Sequence, residues 1–487
     1  MGATLVETTA SSSGARNAVA TTTMSMGSHK TAIFRVLSWA HSRLGRNTNM
    51  TISTGYKFGG EDRFIGFQLP DLMEPKETGS LFSSEEPTKV LILYQNTGGG
   101  HKASAQALKD AFELKPGHNF EVTIMDTLPL CIPPFNKSDK AYDFMVKHSF
   151  LWRYAFAWSS TAWGEKVGFA WYKVGFVDNL KKLFRSATPD LVVSVHPLLQ
   201  VPVLAALKAI RQGYHEPRKV PFATVVTDYT TCHATWFDKG VDKCFVPTEE
   251  TKAFGMKRGL SSGQLVLHGL PIRPAFCKQT QTKLRLRQKL KMDRSLDTVL
   301  VVGGGDGMGP VEETCSAMDR KMTGRVQIVV ICGRNRKLVN RLKSRKWKSK
   351  VIVLGFVTNI HEWMSASDCI ITKAGPGTIA ESLVCGLPIM LNSFIPCQEA
   401  GNIPWVIENE VGDYSNDPEI VAAKVRTWFD NKGQLGIMSK KALSLGRPKA
   451  TFQIVDDLVD LVKHFRWEPF KAGRLNKEMD RFATVPF

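Results

Sequence analysis

From Thr88 onward, short apolar runs recur along the chain, each closed by a glycine-bearing turn. Lys89-Val-Leu-Ile-Leu-Tyr94 is the first, and its unbroken apolar character predicts a strand covered on both faces. A helix is predicted after it, from about Ala103 to Leu114. Further strands are predicted at Glu121–Met125, Leu191–Val195 and Ala223–Thr227. A second series comes after Pro274, at Thr298–Val302, Gln327–Ile331, Val351–Leu354, Cys369–Thr372 and Pro388–Leu391. Strands alternating with helices predict an α/β chain with two doubly wound domains. A length of 487 residues fits more than one core. Pro271 and Pro274 put the hinge near Arg273–Cys277.

Residues 1–86 break this pattern. The first fifty are rich in Ser, Thr and Ala, with five Lys or Arg and one acid, Glu7. That is transit-peptide composition, and Ile33, Val36, Leu37, Ala40 and Leu44 give it an amphipathic piece. A plain disordered tail has the same composition, so both readings stand. Val6 occupies the place where myristoylation prefers Ser or Thr.

Composition narrows the function classes. The net charge of +19 favours anionic partners. Twelve Lys or Arg fall between Arg320 and Lys350, which fits a solvated surface or an anion site equally. Nine cysteines without a CxxC pair point to free thiols, not to zinc or a disulfide framework. No apolar run reaches the ~18 residues of a spanning helix. The nearest, Leu191–Leu207, is interrupted by His196, Pro197, Gln200 and Pro202. Membrane attachment, where present, is expected at the surface.

Two glycine loops come after predicted strands and open helices: Asn96-Thr-Gly-Gly-Gly-His-Lys-Ala-Ser104 and Gly303-Gly-Gly-Asp-Gly-Met-Gly-Pro310. A helix N-terminus offers free N–H groups to an anion, and glycine lets the backbone come close. Neither loop is a Walker A, since Ala103 stands where its second glycine belongs. Neither is GxGxxG, since Met308 stands at the third glycine. Either loop also serves as a plain strand-to-helix turn. A third turn, Ile371-Thr-Lys-Ala-Gly-Pro-Gly-Thr-Ile-Ala-Glu381, leads into a helix predicted near Thr378, with Thr378 as its cap. Its N–H groups suit a diphosphate, and Glu381 suits two ribose hydroxyls. Glu381 also fits a capping box with Thr378. Gln398, Glu399 and Asn402 come after the next strand, on the side where open sheets bind ligands.

These segments resemble the plant monogalactosyldiacylglycerol synthases and, more distantly, the bacterial peptidoglycan N-acetylglucosaminyltransferase. The resemblance runs through Thr97–Ser104, Val226–Phe237, Gly269–Phe276, Gly303–Pro310, Ile370–Glu381, Gly386–Asn392 and Gln398–Val406, in order, across about 88 to 460. It implies a GT-B fold, two Rossmann-like domains facing a cleft. An acceptor and membrane domain is expected over 87–275 and a UDP-sugar domain over 276–450. A C-terminal helix within 451–487 is expected to return to the first domain.

The resemblance implies transfer of galactose from UDP-galactose to the 3-hydroxyl of 1,2-diacylglycerol, with inversion and without an essential metal. The absence of any Asp-x-Asp motif agrees. It also implies monotopic attachment to the plastid envelope and activation by anionic lipids such as phosphatidylglycerol; no nucleic-acid partner is expected, since no binding module for one is visible in the sequence. His101 matches the family's proposed base. An imidazole titrates near neutrality, and a helix N-terminus keeps it neutral. Arg273 matches an arginine near the diphosphate. Gly99, Gly100, Gly303, Gly304, Gly305, Gly375, Pro376, Gly377, Thr378 and Ile379 would hold phosphates or uridine. Glu381 would take the ribose, and Gln398, Glu399, Ala400, Gly401 and Asn402 the sugar and its surroundings. Asp228, His233 and Trp236 are acceptor-side candidates, with capping or core roles as their plain alternatives.

Tyr142–Phe176 holds Trp152, Trp158, Trp163 and Trp171 among basic residues. Tryptophan and cations favour an anionic lipid interface, while a packed helical core is the bland reading. Two competing functions remain: a related transferase using UDP-glucose or UDP-N-acetylglucosamine on another lipid, and a basic nucleic-acid binder, for which no module is visible.

Overall fold

The computed structural model describes four strands within residues 1–85. It also describes residues 86–465 except 98, 118, 134–135, 137–149, 151–153, 155–156, 158–174, 214–218, 279–280 and 306. The chain divides into two compact units, Met1–Glu85 and Glu86–Phe487.

The first unit contains β1 (Thr4–Val6), β2 (Arg16–Thr23), β3 (Thr48–Phe58) and β4 (Glu61–Gln68), which form one sheet in that order. The threonines that the leader reading rests on are also strand formers, as are the valines, isoleucines and aromatics of these strands. The amphipathic piece at Ile33–Leu44 lies outside the described residues.

The second unit holds two parallel six-stranded sheets. The first comprises β5 (Thr88–Tyr94), β6 (Phe120–Asp126), β7 (Leu191–Ser194), β8 (Phe222–Val225), β9 (Lys243–Val246) and β10 (Leu265–Leu267). Its order is β10-β9-β8-β7-β5-β6. The second comprises β11 (Asp297–Val302), β12 (Val326–Ile331), β13 (Lys350–Leu354), β14 (Cys369–Lys373), β15 (Ile389–Ser393) and β16 (Gly412–Tyr414), ordered β13-β12-β11-β14-β15-β16. The strand order in each sheet reverses once, between β5 and β7 and between β11 and β14. Those two points open crevices at the carboxyl ends of the strands, where open α/β sheets bind ligands.

Alternate residues of each apolar run face opposite cores. Val299 and Val301 meet Cys315 and Met318 of helix Val311–Lys321 and Val421 and Val425 of helix Pro418–Asp430. Leu300 and Val302 share the other core with Ile379, Leu383 and Ala442. Tyr229, Leu270 and Ile272 of the preceding lobe and Phe276 of the connecting turn join that same core. Full burial of one such side chain contributes about 1.5–3 kcal/mol, so the run pattern carries much of the fold. Three short strands, β9, β10 and β16, lack a run long enough to announce themselves in the sequence.

A final helix, 450–465, lies against the first sheet's lobe. Thr451 Oγ1 donates to the Ile272 carbonyl at 2.6 Å and accepts from the Ile272 N–H at 2.9 Å. His268 Nε2 lies 2.9 Å from Asp457 Oδ2, and Lys115 pairs with Asp456. All nine cysteines are free thiols. Among the described residues, no helix is long and apolar enough to cross a membrane.

Candidate active site

β5 leads into helix Gly99–Glu113, which starts four residues before the predicted Ala103. Gly99 and Gly100 are exposed in its first turn, and these glycines become helical because the buried His101 and Ser104 anchor that turn. His101, Ser104, Ala105, Leu108, Ala111 and Phe112 are buried, a spacing of three and four that forms one stripe. His101 is therefore the first residue of the inward face.

Its ring sits at the crevice between β5 and β7. His101 Nδ1 lies 2.9 Å from the carbonyl oxygen of Val195, the residue after β7, and 2.8 Å from Thr227 Oγ1. A carbonyl oxygen only accepts, so Nδ1 carries the proton and Nε2 keeps its lone pair. Burial holds the imidazole down to about 4, opposed by the Val195 bond, so the ring is neutral at physiological pH. His196 packs edge-on against it, with ring centroids 4.7 Å apart. The Leu198 N–H donates to His196 Nδ1 at 3.3 Å, so His196 Nε2 bears the hydrogen and donates to Thr97 Oγ1 at 3.0 Å. Burial, then the neighbouring His101, push the His196 pKa well down. Thr97, Thr227, the Val195 carbonyl and His196 do not stand out in the sequence; only the His-Pro pair closing a buried strand hints at His196.

Asp228 comes after β8 and accepts from Trp236 Nε1 at 2.6 Å. Burial raises its carboxyl to about 7 against the pull of the Trp236 bond, and Glu399 of the second lobe adds to the rise. Two acceptor-side expectations change here. Trp236 is fully buried, so it backs the cleft wall and does not floor an open site. His233 accepts from the Thr235 N–H and caps the short turn Ala234–Trp236, which occupies Nδ1 in a structural role. Trp152, Trp158, Trp163 and Trp171 lie outside the described residues.

The second lobe supplies the facing crevice. Gly303, Gly304 and Gly305 come directly after β11. Gly304 has a φ of +69°. A Cβ on Gly307 would stand 2.4 Å from the Cys332 carbonyl oxygen, so the loop closes this tightly only with glycine there. Opposite it, Gly375 caps helix Pro376–Val384, with Pro376 at the first position, where its missing N–H costs nothing. The helix thus begins two residues before the predicted start. Thr378 lies inside it and does not cap; its carbonyl accepts from Ser382 Oγ at 2.6 Å. Gly377 and Ile379 belong to the same first turn, and the Ile379 N–H is taken up by the Gly375 carbonyl at 3.0 Å, so it is not among the open N–H groups of the turn.

Arg273 reaches Glu381, Nη2 to Oε1 at 3.5 Å. Burial raises the Glu381 carboxyl, and Arg273 opposes the rise. The residues expected at the diphosphate and the ribose are thus paired with each other. Glu399 accepts from Lys373 Nζ through Oε1 and from the Ile395 N–H through Oε2, the latter at 2.8 Å. Asn402 donates to the Ala374 carbonyl at 2.9 Å and accepts from Thr230 Oγ1 at 2.8 Å. Its amide therefore joins the lobes. Gln398 is close enough to Asp228 to lower that carboxyl by hydrogen bonding. Ala400 and Gly401 lie on the same turn, and a Cβ on Gly401 would sit 1.9 Å from Thr231 Oγ1. Tyr229 and Trp405 meet edge-on at 4.8 Å nearby. Among the described residues, no group of three His, Cys, Asp or Glu is placed to hold a metal.

The arrangement puts a neutral histidine with a free ring nitrogen in one crevice. The other offers a glycine loop and a helix N-terminus suited to phosphates. A family model described as monogalactosyldiacylglycerol (MGDG) synthase matches residues 101–272. One described as glycosyltransferase family 28 C-terminal domain matches 298–402. The chloroplastic monogalactosyldiacylglycerol synthase of Spinacia oleracea is 45% identical over 389 residues, 78% of this chain and 73% of that protein. The chloroplastic monogalactosyldiacylglycerol synthase 1 of Arabidopsis thaliana is 43% identical over 388 residues, 78% of this chain and 72% of its own length. Among solved structures, a UDP-GlcNAc 2-epimerase from Neisseria meningitidis bound to UDP-GlcNAc matches with a TM-score of 0.50 at 13% identity. It covers 77% of this chain and 100% of that one, and supports the GT-B fold alone.

Proposed function

The chain belongs to the monogalactosyldiacylglycerol synthase family, a galactolipid-making group of glycosyltransferases, and from that premise we propose how its own residues carry out the transfer. The donor is UDP-galactose and the acceptor the 3-hydroxyl of 1,2-diacylglycerol. His101 Nε2 takes the hydroxyl proton. The freed oxygen attacks the anomeric carbon from the face opposite UDP. The new glycosidic bond forms as the bond to the UDP oxygen breaks, and UDP leaves with the electron pair. The sugar inverts to a β-glycoside. The observation that carries this reading is the His101 Nδ1 bond to Val195, which fixes the proton on one nitrogen and leaves the other as a base.

The glycine loop after β11 and the first turn of helix Pro376–Val384 hold the diphosphate. Glu381 takes the ribose hydroxyls once Arg273 releases it toward phosphate. These groups meet the leaving charge without a divalent metal. The enzyme works from one face of the plastid envelope, where anionic lipid such as phosphatidylglycerol activates it. The net charge of +19 supports this, as do Phe150 and Tyr154 in the Trp-rich stretch, 78% and 70% exposed.

Turnover of UDP-galactose, UDP-glucose and UDP-N-acetylglucosamine on diacylglycerol liposomes, with and without phosphatidylglycerol and with EDTA, tests the reading. Galactose preference, EDTA insensitivity and activation by the anionic lipid are expected. Preference for UDP-N-acetylglucosamine would remove the donor assignment.

A further inference from the structure

We propose that Lys373 contacts the donor diphosphate and stabilises the departing UDP, and that Glu399 is the positioning residue that aims it. The proposal rests on the UDP-sugar reading above. Lys373 is the last residue of β14, at the crevice between β11 and β14. The β14–β15 register shifts between Thr372 and Lys373. Such irregularities re-aim a side chain at the end of a ladder.

The side chain then spans the two phosphate-suited elements. Its Cε lies 3.5 Å from where a Cβ on Gly304 would stand, and its Nζ 3.2 Å from the corresponding point on Gly375. Gly304 belongs to the loop after β11, and Gly375 caps the helix facing it. The ammonium therefore stands between the backbone groups expected to cradle one diphosphate.

Glu399 is 3% exposed, and both of its oxygens are engaged within the protein, by Lys373 and by the Ile395 N–H. A carboxylate bonded at each oxygen and this deeply buried suits the holding of a cation better than the binding of a sugar hydroxyl. An ammonium has three donors, and the Glu399 bond uses one. The Lys373 side chain keeps 20% exposure, which leaves it reachable from the crevice. A compact cation at a phosphate site acts as a point charge, and it gains strength as the leaving oxygen becomes negative.

The test is calorimetric titration of the full chain with UDP and with uridine, beside steady-state transfer. The proteins are wild type, Lys373→Met, Glu399→Gln, the double variant and Lys373→Arg. Lys373→Met alone strands a buried carboxylate and invites misfolding; the double variant removes both charges and keeps the packing. The double variant is expected to lose roughly 10- to 100-fold in UDP affinity with uridine affinity unchanged. Glu399→Gln is expected to lose UDP affinity too, and the double variant to be no worse than Lys373→Met. Lys373→Arg is expected to recover part of the affinity and to lose more kcat than KM. UDP affinity within twofold of wild type in the double variant would overturn the proposal. A raised KM for UDP-galactose in Glu399→Gln with UDP affinity intact would overturn its positioning role and return Glu399 to the sugar. Absence of UDP binding by the wild type would remove the donor reading, and this proposal with it.

Discussion

His101 Nδ1 donates to the main-chain oxygen of Val195 at 2.9 Å, joining the first turn of one helix to the end of the neighbouring strand. Burial places the folded pKa near 4, below the ~6.5 of an exposed histidine. A base with a depressed folded pKa contributes stability above its unfolded pKa and loses it as pH falls through the folded one. The wild type should therefore lose thermal midpoint relative to His101→Asn between about pH 6.5 and 4. Parallel melting curves across that window would contradict the buried, neutral ring.

Asp228 carries the opposite sign. Its folded pKa of about 7 lies above the ~3.9 of an exposed aspartate, so the fold favours the protonated form. That contribution is complete below the unfolded pKa and is lost as pH rises through about 7. Asp228→Asn keeps an acceptor for Trp236 Nε1. It should match wild type near pH 4 and exceed it by a few kcal/mol above pH 8. Equal stability of the two proteins at high pH would show an ionised Asp228 to be well accommodated.

The lobes meet where Thr230 and Thr231 face Gly401 and Asn402. A Cβ on Gly401 would stand 1.9 Å from Thr231 Oγ1 and 3.0 Å from Thr230 Oγ1. Gly401→Ala should wedge this contact and raise the KM for the donor. Adding Thr231→Ala should restore most of it. Steady-state kinetics of the three proteins decide this; a raised KM that Thr231→Ala leaves unchanged would mean this contact is not its cause.

Arg273 and Glu381 are linked at 3.5 Å, with Arg273 partly exposed. Arg273→Ala leaves a buried carboxylate and should lower the thermal midpoint. Arg273→Ala with Glu381→Gln should recover it, since both charges are then gone. Glu381→Gln alone should weaken UDP more than 2′-deoxy-UDP, because the ribose hydroxyl is its assigned partner. Equal losses for the two nucleotides would take Glu381 off the ribose.

The sequence exposes what is local. Runs such as Thr298–Val302 declare strands because both faces need apolar cover, and glycine turns after them mark the crevices. His101 stands out because glycines precede it on a helix stripe. What joins distant segments does not show. The partners of His101 lie 94 and 126 residues away. Lys373 lies inside a motif that reads as a backbone turn, and only its pairing with Glu399, 26 residues on, gives it a role. Thr378 reads as a cap because Gly375 carries no side chain to compete for that position; Pro376 sets the start instead. His233 and Trp236 stand out as polar and aromatic residues near a strand end, yet each is consumed by local structure.

The most direct test is paired measurement on His101→Asn: galactose transfer to diacylglycerol and UDP affinity by titration. Loss of general-base catalysis predicts a fall in kcat of roughly 10²- to 10⁴-fold, with UDP affinity within about twofold of wild type. Transfer near the wild-type rate in the folded variant would contradict His101 as the base.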